Sequence, residues 1–219
     1  MLKLAEALER FKPPDGLENF ARRLNSFEAA WKFCERADWM LWMLEHSSPT
    51  LDRRLRLFSC RCVRRWWHFL HDTRSQRAVA AAEGFAEGRV SKTALEYMRA
   101  GAQKAVDDAN ASTKPMHARA ARMALNTLDH NLLTAARENS SLAAAAEHSI
   151  KDTQSYEKEL LILGEQAQWL REILGNPFRD SLPSAAAATA PSVEPHRGAQ
   201  MRPFHPGAHR DTSRPATVF

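Results

Sequence analysis

Residues 51–71 read LDRRLRLFSCRCVRRWWHFLH, and this segment carries both a candidate core stripe and most of the net positive charge. When successive residues are placed about 100° apart, as on a helix, its apolar residues fall within a wedge of about 80°. The residues of this wedge are Leu51, Leu55, Phe58, Cys62, Trp66 and Phe69. The arginines outside the wedge are Arg53, Arg54, Arg56, Arg61, Arg64 and Arg65. We therefore predict one amphipathic helix whose apolar stripe faces a core and whose guanidinium groups face outwards.

Positive charge is concentrated in this helix and in the residues that follow it. From Asp52 to Arg77 the chain has eight arginines against two aspartates, a balance of +6, whereas the whole chain of 219 residues carries +5. The remaining sequence is therefore nearly neutral. A local excess of this kind in a protein with a pI near 9.4 favours an acidic partner, although it does not identify one.

The composition is that of a globular protein, with 44% hydrophobic and 26% charged residues, and the length suits one domain with a substantial core. Three cysteines, Cys34, Cys60 and Cys62, form no regular framework, which favours a reducing compartment. Glu6 and Glu9 interrupt any apolar run near the start, which argues against a signal peptide of the usual form. No stretch approaches the roughly 20 apolar residues of a membrane span. We expect a cytoplasmic protein.

The sequence shows no alternating strand pattern of useful length, and its apolar residues recur at helical spacing. We predict an all-α fold, an irregular array of about six or seven helices. Residues 1–16 are interpreted as an N-terminal helix and linker, and residues 17–179 as the helical domain. Residues 180–219 are rich in proline, alanine and arginine and have little apolar surface to bury, so we predict a disordered C-terminal tail.

Three helix boundaries are predicted from the basic helix onwards. The basic helix is expected to continue to His71, and a later helix to run from Pro115 to about Glu138. Ser140 and Ser141 are interpreted as a break before a final helix that reaches Leu174.

Two blocks of sequence stand out from the rest. The first contains Leu55-Arg56-Leu57-Phe58, Cys60, Cys62, Arg64-Arg65 and Trp67-His68, and continues through Asp72 to Gly88; the second, at 168–179, reads QWLREILGNPFR. Together they resemble a recurrent bacterial family of alanine-rich, all-helical proteins of uncharacterised function. The part from Arg74 to Gly88 is more distantly similar to helical immunity proteins of polymorphic toxin systems, which implies binding to a toxin. The basic tail belongs to neither pattern.

Four residues near the end of the basic helix are of types that bind zinc: Cys60, Cys62, His68 and His71. On one helix Cys60 and Cys62 point about 200° apart, and Cys60 and His68 are separated by roughly 12 Å along the axis. Tetrahedral zinc requires every ligand within about 2.3 Å of one point. His68 and His71 alone would form a weak two-ligand site. We therefore expect no metal and no cofactor, and we interpret Cys62 as a small core residue.

Cys60 is also a candidate nucleophile, because nearby arginines lower the pKa of a thiol and His68 or His71 is a candidate base. No glycine-rich turn or oxyanion-forming loop accompanies it, and no phosphate-binding loop of the Walker or Rossmann type is present. The adjacent carboxylates of Asp107 and Asp108 diverge on a helix, so we expect them to be solvated. We therefore predict that the protein is not an enzyme, and a cysteine-dependent enzyme ranks third among the hypotheses.

The outward face of the basic helix is the strongest candidate site. Residues three or four apart form one strip: Arg53, Arg56, Cys60, Arg64, Trp67 and His71. Guanidinium groups bind carboxylates or phosphates through paired hydrogen bonds, and Trp67 can stack on a base or on an arginine of a partner. We predict a non-catalytic protein-binding module, immunity- or adaptor-like, with an acidic protein partner. Its predicted partner-binding residues are Arg53, Arg56, Arg61, Arg64, Arg65, Trp67, His68 and His71.

Two alternatives remain open for this face. In the first, Leu57, Cys60 and Trp67 are buried by a second neighbouring element while the arginines pair with acidic residues of the same chain. In the second, the strip binds nucleic acid with help from tail arginines, and affinity then falls steeply with salt. These tail arginines are Arg197, Arg202, Arg210 and Arg214. No helix-turn-helix or RNA-binding signature accompanies them, so an acidic protein is the preferred partner, and we predict no membrane partner.

Overall fold

The computed structural model describes residues 3–47, 51–145 and 155–179, and every regular element in these ranges is helical. The N-terminal part forms four short helices: α1 (Leu4–Arg10), α2 (Leu17–Ala21), α3 (Phe27–Phe33) and α4 (Ala37–Glu45). Six longer helices follow: α5 (Asp52–Arg65), α6 (Thr73–Ala86), α7 (Lys92–Asn110), α8 (Pro115–Asn126), α9 (Leu132–Ala145) and α10 (Ser155–Leu174). None of the helices in the described ranges has the length and apolar character needed to cross a bilayer.

The all-α prediction is confirmed, but the predicted number of six or seven helices is too low, since the described residues form ten. Part of the difference lies before α5, where turns such as Lys12–Gly16 divide the chain into helices of five to nine residues. Leu4 and Ala7 of α1 are buried in the same hydrophobic core as the later helices. The N-terminal helix therefore packs onto the domain. The predicted disordered tail, residues 180–219, lies outside the described residues.

Helix α5 is the central element, because it packs against α6, α8, α9 and α10. Its apolar wedge faces inwards as predicted for Leu55, Phe58, Cys62 and Trp66, all of which are buried. Leu51 and Phe69 are partly buried against the same core. Ser59, between these positions, is also fully buried, so α5 is enclosed on more than its apolar stripe.

The predicted helix boundaries around Ser140 are wrong. The chain breaks instead between α8 and α9, where the side chain of Asn131 accepts a hydrogen bond from the amide of Thr134 and so caps α9. Ser140 lies inside α9, buried, and its hydroxyl bonds to the side chain of Gln166 on α10. The serine that the sequence analysis interpreted as a break between helices instead forms a buried hydrogen bond between two helices.

A second buried polar contact lies at the centre of the core. The amide nitrogen of Asn139 on α9 donates to Ser59 Oγ of α5 and to the carbonyl of Met123 on α8, at 3.0 Å each. Its amide oxygen accepts from Asn126 Nδ2 at 3.1 Å. These bonds satisfy groups that would otherwise be costly to bury, and they fix α5, α8 and α9 in one register.

The end of α10 is anchored to helices from the N-terminal half. The indole N–H of Trp31 on α3 donates to the carbonyl of Gly175 at 2.7 Å, and Arg54 Nη1 of α5 donates to the carbonyl of Leu174 at 2.8 Å. Arg171 Nη1 donates in return to the carbonyl of Cys34 at 2.6 Å. Gly175 has a φ of +67° and ends the helix in the left-handed conformation. Free carbonyls at this helix end are therefore satisfied by side chains distant in sequence.

Candidate functional site

Helix α5 ends earlier than its sequence predicts. It stops at Arg65, and Trp67–Phe69 form a short 3-10 turn before Asp72 caps α6 by accepting the amide of Arg74. In a 3-10 helix residues three apart eclipse one another, and Trp66 and Phe69 stack here with ring centroids 5.6 Å apart. The predicted continuous strip from Arg53 to His71 is therefore interrupted: Trp67, His68 and His71 do not continue the face of α5.

Arg56 belongs to the predicted outward strip, but the structure buries it. Its residue is only 5% exposed, and its guanidinium donates to the carbonyls of Thr127 and Asp129 in the turn after α8. The guanidinium carbon also lies 5.2 Å from the ring centroid of Phe85. Burial lowers the pKa of Arg56 from its usual value, although nearby acidic groups oppose the shift. The prediction that Arg56 faces outwards is wrong, because it holds the α8–α9 turn onto α5.

Arg64 binds within the chain towards α6. Its Nε and Nη2 donate to the two carboxylate oxygens of Glu83 at 2.9 and 2.6 Å, a paired geometry that matches a guanidinium to a carboxylate. The same guanidinium lies 4.1 Å from the ring centroid of Trp67. Trp67 is therefore half-buried and covered by a cation of its own chain, so it offers no open face on that side.

Arg61 and Arg65 point to the other neighbour, α10. Arg61 Nη1 lies 2.6 Å from a carboxylate oxygen of Glu172, and Arg65 Nη1 lies 2.5 Å from one of Glu165. The guanidinium of Arg61 also covers the ring of Trp169 at 4.9 Å. For these residues the arrangement matches the structural alternative, in which the arginines pair with acidic residues of the same chain.

Three members of the predicted site keep exposed side chains without an ion pair among the described residues: Arg53, His68 and His71. Arg53 lies in the first turn of α5, whereas His68 and His71 follow the end of that helix. The structure therefore does not bring all three together. It leaves one isolated cation at one end and two histidines at the other.

The two histidines are joined by residues that the sequence analysis missed. His71 stacks on His117 of α8 with ring centroids 4.5 Å apart, and Phe69 lies between His68 and His117 at 4.1 and 6.3 Å. Lys114 is exposed immediately before α8. We call this group, His68, Phe69, His71, Lys114 and His117, the histidine surface. Its two halves are more than forty residues apart, and no local spacing connects them.

Lys114 is the one permanent cation of the histidine surface. The pKa of His117 is lowered, first by desolvation and then by the neighbouring His71 and the ammonium group of Lys114. The nearby acidic side chains are already engaged, since Arg74 Nη2 lies 2.6 Å from both Asp72 and Asp108. One guanidinium is thus shared by two carboxylates, while Lys114 forms no ion pair among the described residues.

The thiols do not have the character of a nucleophile. Cys60 is 1% exposed, and burial raises its pKa to about 12, with Glu83 adding to the effect. Arg56 and Arg64 act in the opposite direction but do not prevail, so the neighbouring arginines do not activate Cys60 as a nucleophile. Cys62 is fully buried, as predicted for a core residue. In the ranges that the structure covers, no three His, Cys, Asp or Glu side chains are grouped so as to hold a metal ion.

No protein-family model, curated protein or solved structure matches this chain.

Proposed function

We propose that this chain is a non-catalytic helical protein-binding module, immunity- or adaptor-like, that takes an acidic protein partner on its histidine surface. One observation carries the proposal. The arginines of α5 from Arg54 onwards are engaged within the molecule, whereas chargeable groups without an acidic partner gather at His68, His71, Lys114 and His117. An acidic side chain from a partner would supply the missing counter-charge.

The aromatic content of this surface supports the same function. Phe69 is partly buried and in contact with two imidazole rings, so it offers apolar area beside groups that bind carboxylates. Protein interfaces are enriched in such aromatic residues, and complementary charge steers the encounter. The pKa of His117 is lowered, so its protonation should strengthen binding to an acidic partner only as pH falls below about 6.5.

The nucleic-acid alternative has less support. It relies on the strip of α5, where Arg56, Arg61, Arg64 and Arg65 already bind carbonyls or carboxylates of the chain. To bind a phosphate, each of these guanidinium groups would have to give up a bond that it makes inside the molecule.

The test is affinity capture from the native host with matched baits, in nuclease-treated extract so that nucleic acid does not bridge. The charge-reversing bait carries His68→Glu and Lys114→Glu, both at exposed positions. The control is Lys104→Glu, which makes the same type of change at an exposed site on α7. We expect wild type and control to retain one acidic protein that the double variant loses. Retention of every wild-type partner by the double variant would contradict the proposal.

A further inference from the structure

A solvent-open groove of about 660 Å³ runs along α10, where this helix passes Glu35 in the loop between α3 and α4. The residues of α10 that line it recur mainly three or four positions apart, so they share one face of the helix. Leu160, Leu161 and Gly164 form the apolar part of the groove. From residue 157 to residue 168 this face is roughly 16 Å long, which is about three helical turns.

Leu161 is the most exposed apolar residue of the groove. It is 74% exposed, although leucine is among the residue types that proteins usually bury. Tyr156, one turn before Leu160, is 59% exposed, and Leu160 itself is partly buried. Helix α10 therefore has an apolar area open to solvent in addition to the side that it packs into the core with Ile162 and Leu163. Neighbouring apolar residues left open in this way indicate an interaction surface.

Gly164 lies in the middle of α10, and the fold does not require a glycine there. A Cβ at this position would lie 3.6 Å from the carbonyl oxygen of Glu35, which is an ordinary van der Waals distance. Glycine also weakens the interior of a helix relative to alanine, so helix stability favours a side chain here. The absence of a side chain instead keeps the floor of the groove open, so that a second helix can approach closely.

The charges that line the groove favour a basic partner. Three carboxylates, those of Glu35, Glu157 and Glu165, line it against one guanidinium, that of Arg171. Glu165 already has an arginine partner on α5, and Arg171 donates to the carbonyl of Cys34 at 2.6 Å. Glu35 and Glu157 are exposed and form no ion pair among the residues that the structure describes. A cation from a partner would supply their counter-charge.

The cations that flank Glu35 in the chain are engaged elsewhere. Lys32 lies 5.3 Å from the ring centroid of Phe33. Arg36 donates to the two carboxylate oxygens of Asp38 at 3.1 and 2.6 Å. Neither side chain therefore neutralises Glu35.

We propose that the groove binds a basic amphipathic helix of another protein. The apolar side of that helix packs on Leu160, Leu161 and the open floor at Gly164, and its lysines or arginines pair with Glu35 and Glu157. This partner is opposite in charge to the acidic protein of the proposed function, so the inference goes beyond that function. The two surfaces are separate, since the groove lies on α10 and the α3–α4 loop, whereas the histidine surface lies on α8 and the turn before α6.

The experiment measures binding of a fluorescein-labelled synthetic helix to the full chain by fluorescence anisotropy. The probe has about 14 residues, roughly 20 Å of helix, with leucines on one face and lysines and alanines on the others. A scrambled peptide of the same composition has no apolar face, and a third peptide has glutamate in place of every lysine. We expect saturable binding of the probe with a dissociation constant on the order of 10 μM, and no saturable binding of the other two peptides.

Two variants and one matched control locate the site. Leu161→Ser removes an exposed apolar side chain from the groove, and Tyr97→Ser does the same on α7, where Tyr97 is 79% exposed. Because burial of a leucine contributes on this scale, Leu161→Ser should weaken binding of the probe by about tenfold or more, and Tyr97→Ser by less than about twofold. Gly164→Gln fills the floor of the groove with a good helix former. It should leave the urea midpoint unchanged or higher and weaken binding by about tenfold, so unfolding would not account for the loss.

Equal binding of the scrambled or acidic peptide, unchanged affinity in Gly164→Gln, or an equal loss in Tyr97→Ser would each overturn the proposal. Sedimentation that shows wild type alone self-associating, with Leu161→Ser monomeric, would also overturn it, because the occupant would then be a second copy. Leu161→Ser leaves the histidine surface unchanged and should still capture the acidic protein. Failure of the probe to bind with capture intact therefore contradicts this proposal alone, and failure of capture with the probe bound contradicts the proposed function alone.

Discussion

At the scale of single residues, burial decides what a charged side chain does. Arg56 and Arg53 have the same side chain one turn apart, but Arg56 is buried beneath the α8–α9 turn whereas Arg53 is exposed. The sequence pattern places both on the same outward strip. The pattern does not show that Thr127 and Asp129, more than seventy residues away, lie beside Arg56. Their carbonyls accept hydrogen bonds from its buried guanidinium.

Arg56→Lys should therefore destabilise the protein although it keeps the charge. An ammonium group cannot reproduce the forked donation to two carbonyls, and it remains buried, so we expect a loss of about 2–3 kcal/mol in the free energy of unfolding. Urea denaturation followed by circular dichroism measures this change in the free energy of unfolding. Arg53→Lys is the matched control and should change stability by less than about 0.5 kcal/mol. Equal effects of the two substitutions would contradict the assigned role of Arg56.

His46 makes stability depend on pH. Its ring stacks on Phe11 at 4.1 Å and meets the tilted ring of Trp42 at 4.4 Å. Its pKa is lowered, first by desolvation and also by Arg137, against the opposing effect of Glu45. His46 therefore takes up a proton at higher pH in the unfolded chain than in the folded chain. The contribution of neutral His46 to the free energy of unfolding is accordingly lost as pH falls below about 6.5. Urea midpoints at pH 7.5 and 5.5 should differ less in His46→Phe than in wild type. An unchanged pH dependence in that variant would assign the effect to other groups.

At the scale of the elements, helix α5 forms ion pairs with the helices on either side of it. Arg61 and Arg65 reach α10, and Arg64 reaches α6, so guanidinium groups outside the apolar stripe still meet packed neighbours. The sequence correctly predicted a helix here, although not its end at Arg65, and it correctly predicted the buried positions Leu55, Phe58, Cys62 and Trp66. It could not predict that the arginines would meet Glu83, Glu165 and Glu172, because periodicity shows which face is apolar but not which helices pack beside the polar one.

These ion pairs should contribute little to stability individually. Arg65 and Glu165 are each about one-third exposed or more, at 33% and 39%, where solvent screens the attraction. A double-mutant cycle with Arg65→Ala and Glu165→Ala should give a coupling of roughly 0.2–1 kcal/mol, and it should shrink when salt is added. A coupling above about 2 kcal/mol that salt does not reduce would show that the pair behaves as a buried one.

At the scale of the whole molecule, the three cysteines report on the integrity of the core. Cys34 lies after α3, while Cys60 and Cys62 lie on α5, and burial raises the pKa of all three thiols. Ellman's reagent at pH about 8 should therefore label no thiol rapidly in the folded protein and all three in concentrated urea. Rapid labelling of Cys60 in the folded state would instead favour a reactive, enzyme-like thiol.

The tie between the end of α10 and the N-terminal half also bears on how the chain is made. On the ribosome the N-terminal helices emerge first, yet the indole of Trp31 cannot bond to the Gly175 carbonyl until the last described turn has been synthesised and released. During translation the aromatic side chains of α3 should therefore remain exposed to solvent, to chaperones and to other nascent chains until the end of α10 has been made. Loss of the final helix through premature termination should accordingly yield a product that is degraded or aggregated. The N-terminal helices are made first but complete their packing only when α10 is present.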